Sequence, residues 1–277
     1  MCFIEDFFLD KERIRKVVKK KIEGALQIDF AARQALESTA PNQEAEKAID
    51  DWGILYKVLR VKAKTDLVKA IINGEPQIRR DLVATSTEEK HTEIIQRHTE
   101  IYTLCNAVQG VRHKDGGERD FKALASKLLW LLHPSEVPIF DDLAWCAINV
   151  VARLAEKVET PDPKDKSAST LNKFCAFLKL HSLCFSDIYE RIDQIILGEF
   201  DTIFDSAERK GPAITKENAA RQYANHITVI DQILVHLGGT VPVEECLKKT
   251  GKKGTQKLEK SVSLGELGDR RSVPTGS

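Results

Sequence analysis

This sequence carries no net charge: Lys plus Arg total 42 and Asp plus Glu total 42 over 277 residues. A dedicated nucleic-acid binder usually shows a basic excess or patch, so composition supplies no electrostatic argument for one. Paired cysteines are also missing. Cys2, Cys105, Cys146, Cys175, Cys184 and Cys246 lie far apart, with no Cys-x-x-Cys spacing of a zinc or redox site. Cys105, Cys146 and Cys175 fall inside apolar helical runs, where a thiol acts as a small buried hydrophobe. Reduced thiols and a cytoplasmic location are the expectation. No apolar run approaches the roughly 20 residues that span a membrane. The N-terminal MCFIEDFFLDKERIRKVVKKK places its apolar cluster before its charges, the reverse of a secretory signal. Gly-rich phosphate loops, His-Glu-x-x-His and Gly-x-Ser-x-Gly are absent, so the sequence calls for no cofactor and no metal.

Period-two alternation is scarce, whereas apolar residues at i, i+3, i+4 recur almost everywhere. The expected fold class is all-α, a multi-helix globular bundle. A first helix is predicted over about 11–37, with Ile14, Val17, Val18, Ile22 and Leu26 on one stripe and Lys16, Lys19, Lys20 and Lys21 opposite. That lysine face suits an acidic partner, and it equally suits plain solvation. A second helix is predicted over about 43–72, ended by Asn73-Gly74-Glu75-Pro76. Ser86 with Glu89 reads as a capping box opening a third. Within it His91 and His98 stand two turns apart, roughly 10 Å along the axis and too far to share one metal. Further helices are expected at about 170–182, 186–206 and 215–237. The segments ERIDQIIL (190–197) and TVIDQILV (228–235) echo each other.

The expected organisation is an N-terminal helical region (1–158), a Pro- and charge-rich linker or loop (159–169), and a C-terminal helical region (170–250) packed on the first. The last segment, 251–277, has few apolar residues and is predicted to be a disordered tail.

Residues 126–142, SKLLWLLHPSEVPIFDD, are the most informative stretch. Pro134 stops an apolar helix that begins near Phe121, and Pro138 holds the following turn extended. Asp141 and Asp142 then open another helix, where a carboxylate gains from unpaired amides and the helix dipole. His133 falls at a helix C-terminus, a place that favours a cation. Trp130 and Trp145 flank the turn as core anchors or as stacking surfaces for a ligand.

The helix, turn and Val-Pro-Ile-Phe-Asp pattern resembles part of the helix-hairpin-helix base-excision DNA glycosylases. In that family a similar Val-Pro-Val-Asp segment ends in the catalytic aspartate. The resemblance spans about 45 of 277 residues. It implies a glycosylase-like helical core, with Asp141, or Asp142 as the alternative, in the catalytic position. Lys122, 19 residues before Asp141, or Lys127, 14 before it, would be the Schiff-base lysine. Trp130 and Trp145 would flank the flipped base. Ser126-Lys127-Leu128-Leu129, Pro134 and Pro138-Ile139-Phe140-Asp141 resemble still more closely a pattern in uncharacterised bacterial proteins of that fold. The Gly-x-Gly turn that lets such a hairpin approach a phosphate is missing: Gly116-Gly117-Glu118-Arg119-Asp120-Phe121 precedes Lys122.

Three functions follow as expectations. The first is a non-catalytic scaffold or interaction protein, in which Lys127 and Asp141 form a structural ion pair. The second is a glycosylase-like enzyme acting on a nucleobase in DNA, and the third a cellular defence or toxin-type factor. Whether the chain is an enzyme is left open, and its partner is left open between DNA and another protein.

Overall fold

The computed structural model describes residues 2–38, 42–59, 64–73, 81–84, 86–108, 121–154, 170–209 and 213–240. These residues form an all-α bundle: α1 Cys2–Phe8, α2 Lys11–Gly24, α3 Leu26–Glu37, α4 Gln43–Leu55, α5 Lys64–Asn73 and α6 Thr87–Ala107. There follow α7 Lys122–Leu132, α8 Asp142–Leu154, α9 Thr170–Phe185, α10 Tyr189–Ser206, α11 Lys216–Tyr223 and α12 His226–Thr240. The proposed loop at 109–120, linker at 159–169 and tail at 251–277 lie outside the described residues.

The helix starts follow their side chains. Asp10 caps α2 by accepting from the Arg13 amide, and Asn42 caps α4 through the Ala45 amide. Ser86 and Glu89 form the reciprocal capping box of α6.

Three of the long helices expected from periodicity are each broken in two. The first bends at Ala25, whose φ of −129° and ψ of −22° leave the helical region while its amide still reaches the Lys21 carbonyl. The second ends at Leu55. There the chain folds back so that the Val58 and Leu59 amides both donate to the Gly53 carbonyl, with Lys57 at φ 57°. The third breaks at Ala224 and Asn225, where the Asn225 side chain accepts from the Thr228 amide and starts α12 afresh. Apolar periodicity runs through all three breaks because the residues on both sides face the same core.

That core is continuous from N- to C-terminal helices. Trp52, Trp130, Phe140, Phe174, Phe177 and Ile230 are all buried in it. α8 packs against α12, α3 against α4, and α10 lies along α2. The α8–α12 approach depends on Gly238, where a Cβ would stand 2.2 Å from the Leu143 carbonyl oxygen.

Gly238→Ala is therefore expected to separate α8 from α12 and to destabilise by about 1–3 kcal/mol or more. Gly198, exposed on α10, has nothing within 4 Å of a would-be Cβ. Gly198→Ala should stabilise by about 0.5–1 kcal/mol through helix propensity. Denaturant unfolding of the two variants must show opposite signs; a neutral Gly238→Ala would mean the helix contact is looser than described.

Candidate functional site

The segment between α7 and α8 is pinned from two sides. Ser126 Oγ donates to the Phe140 carbonyl at 3.0 Å and accepts from the Phe140 amide at 3.1 Å. Asp231, from α12, accepts from the Ile139 amide. Val137, Pro138, Ile139 and Phe140 are all buried, so without these partners the turn's amides would be stranded away from water.

The chain leaves this brace at Asp141. Its Oδ1 accepts from the Ala144 amide at 2.9 Å, capping α8, and its Oδ2 lies 3.6 Å from Lys127 Nζ. Lys127 is 8% exposed, and burial lowers its pKa against the opposing pull of Asp141. Lys122 and Asp142 form a second, more open pair at 3.6 Å. The structure thus brings all four residues together in two lysine–aspartate pairs. Trp130 and Trp145 are buried, at 0% and 6% exposed, and offer no face to a ligand.

His133 is half-buried, and desolvation moves its imidazole below the usual range, so a charged cap there is disfavoured. Arg33 is the cation at this helix end. It is buried, donates to the Leu132 carbonyl at 3.1 Å, and pairs with Glu37 at 2.8 Å. The dipole argument holds for α7, but a residue distant in sequence satisfies it.

Two buried carboxylates stand out beyond the motif. Asp29 is 0% exposed and accepts at Oδ2 from both the Tyr56 hydroxyl (2.8 Å) and the Tyr223 hydroxyl (2.6 Å). Burial pushes its pKa up to about 6 against the opposing effects of Lys21 and the two phenols. Asp231 is likewise fully buried, and burial raises it well above the carboxylate range. Its Oδ1 lies 3.6 Å from Nε2 of His181, whose pKa burial lowers to about 3, so the imidazole is neutral near pH 7. His181 Nδ1 is 2.7 Å from the Tyr189 hydroxyl, and the Tyr189 ring stacks on His226 at 4.1 Å.

His181, Tyr189 and His226 line a cavity of about 210 Å³ that also meets His91, which lies 3.0 Å from Ser182 Oγ. His98 is directed elsewhere, stacked on Phe174 with Nε2 3.0 Å from the Lys122 carbonyl. No group of three or more metal-ligating side chains occurs among the described residues.

The signal for Asp29 was available: it occupies an apolar position of the α3 stripe between Leu26 and Ala32. The two aspartates of the IDQI echo also do distinct jobs. Asp193 takes the His226 amide and ring at 2.7 Å each, and Asp231 takes Ile139.

A second cavity, about 580 Å³, lies between α2, the bend at Ala25, the end of α4 and α12. Arg13, Lys16, Lys20 and Lys21 line it, with Tyr56 and His236. Lys21 Nζ is 3.2 Å from the Tyr56 hydroxyl and 4.9 Å from the centre of that ring. Among the described residues no carboxylate lies within 4.0 Å of the Lys16, Lys20 or Lys21 ammonium. No helix among the described residues is long and apolar enough to cross a membrane.

Comparison with models of known protein families, with curated proteins and with solved structures finds no match to this chain.

Two predictions follow from these buried groups. Removing Ser126 Oγ strands two buried backbone groups, so Ser126→Ala should cost about 1–3 kcal/mol in denaturant unfolding. The second concerns Asp29, which is raised in the fold relative to about 4 in the unfolded chain. Its stabilising contribution is present below about pH 4 and is lost as pH rises to about 6, a change on the order of 2–3 kcal/mol. Asp29→Asn should flatten the pH dependence of stability in that window relative to the parent. An unchanged slope would mean that Asp29 titrates normally.

Proposed function

We propose that this chain is a helical interaction protein that works by binding an anionic partner at the lysine face of α2. The SKLLWLLHPSEVPIFDD segment serves as an internal brace in this reading. One observation carries it: the ammonium groups of Lys16 and Lys20, with no carboxylate within 4.0 Å among the described residues, line the cavity of about 580 Å³, whereas Lys127 and Asp141 line neither this cavity nor the smaller one and are already paired with each other. An ammonium left uncompensated beside a concave wall attracts anions more strongly than one neutralised by a neighbour. The buried, free thiol of Cys105 fits a reducing cytoplasm in the same reading.

A second reading is a glycosylase-like reaction on a nucleobase in DNA. A specific observation favours it: burial depresses the Lys127 amine, which lies 3.6 Å from Asp141, and a depressed amine is what imine formation requires. Against it, the lysine is 8% exposed and both tryptophans are enclosed.

Two assays separate the readings. Borohydride treatment with duplexes bearing an abasic site or an oxidised purine should give no cross-link, and base release should be absent. In parallel, a panel of inorganic phosphate, poly-L-glutamate and octyl phosphate should contain at least one ligand of the parent chain. Its affinity should fall about tenfold or more in Lys16→Glu/Lys20→Glu and stay unchanged in Lys127→Ala. Base release dependent on Asp141, or anion binding lost only with Lys127→Ala, would contradict the binding reading.

A further inference from the structure

Resting on that anion-binding reading, we propose that the cleft between α2 and α12 takes a small amphipathic anion, an alkyl or aryl body ending in a phosphate or carboxylate. Its volume of about 580 Å³ falls within the roughly 300–1,000 Å³ of small-molecule sites. Its chemistry divides in two. Val17, Ala25, Leu55, Ile233 and Val235 give it apolar walls, and the cations of α2 give it one positive edge. Leu55 is 39% exposed, so apolar surface there is open to a ligand.

The acids that also reach the cleft do not cancel its charge. Asp10, the cap of α2, has its charge opposed by the Arg13 guanidinium, and Glu12 pairs with Arg15 at 2.6 Å. Arg13 is held back over the Phe7 ring at 3.7 Å. Lys16 and Lys20, both exposed, are the cations left to meet a ligand, while Lys21 is held against Tyr56 and drawn toward Asp29. Their spacing is helical: Lys16 and Lys20 are one turn apart, with Val17 and Lys21 in the adjacent row. The apolar residue therefore sits beside the ammonium row, and a head group held by the lysines directs its tail onto Val17 and the α12 wall.

Other anions match less well. Inorganic phosphate would leave the apolar walls wet. An acidic polymer or nucleic acid would leave them equally unfilled and would bring its other charges toward Asp10 and Glu12. A ligand with both parts gains from charge at one end and from apolar burial at the other.

The test is calorimetric titration of the full chain with inorganic, butyl, hexyl and octyl phosphate, poly-L-glutamate, and phosphatidylserine vesicles. Octyl phosphate should bind best, with affinity rising about fourfold per methylene along the series. Lys20→Glu should weaken every alkyl phosphate about tenfold, whereas Val17→Asn should flatten the chain-length dependence and leave butyl phosphate little changed. Lys20 is exposed and Val17 only partly buried on α2, and circular dichroism should show unaltered helix content. If phosphate or poly-L-glutamate bound through the same lysines without any chain-length gain, the ligand class would be wrong while anion binding stood. Binding to vesicles but not to free octyl phosphate would also overturn the small-ligand proposal. If no anion bound at all, both this proposal and the reading beneath it would fall.

Discussion

The arrangement of this bundle depends on how the buried turn between α7 and α8 is held. Four successive buried residues, Val137 to Phe140, cross the interior between helices, and of their amides that of Val137 donates to the nearby His133 carbonyl at 3.0 Å. Unpaired amides there would each cost on the order of 1–3 kcal/mol. Ser126 supplies both a donor and an acceptor to Phe140, and Asp231 supplies an acceptor to Ile139. Because Asp231 belongs to α12, the same contact ties the turn to the helix packed along α8. Phe140 then meets Phe174 and Phe177 edge-on at 5.7 and 5.3 Å, and the turn is joined to α9 as well.

This explains why adjacent aspartates follow Val-Pro-Ile-Phe. Once the turn is fixed, Asp141 must start α8 in a half-buried place, where its two oxygens divide between the Ala144 amide and Lys127. A buried ion pair of this kind adds little net stability, but each partner would be costly to leave alone. Asp142 faces outward and meets Lys122 in the open, where solvent screens the attraction. The lysines and aspartates that resemble a catalytic set thus have a complete structural account. Among the described residues, Lys16 and Lys20 beside the larger cleft have no such account.

Much of this was legible in the sequence, because it rests on local rules. The all-α class followed from apolar spacing, the Ser86–Glu89 box from its short motif, and the capping position of Asp141 from Pro138 and the helix after it. The breaks at Ala25, after Leu55 and at Ala224 were not legible, since periodicity continues when both halves face one core. Nor were the partners of buried charge. Arg33 reaches the end of α7 and Asp231 reaches Ile139 across 99 and 92 positions of chain. Asp29 was visible only as a carboxylate on an apolar stripe, and its phenol partners come from α11 and from the turn after α4.

The central claim is that binding takes place at the lysine face of α2 while the Lys127–Asp141 pair remains structural. Backbone amide chemical-shift mapping on adding octyl phosphate tests it most directly. The account predicts shifts that saturate together at Lys16, Val17, Lys20, Gln232 and Val235, with Lys127, Phe140 and Asp141 unmoved. Shifts centred on Lys127 and Asp141, with α2 silent, would contradict it.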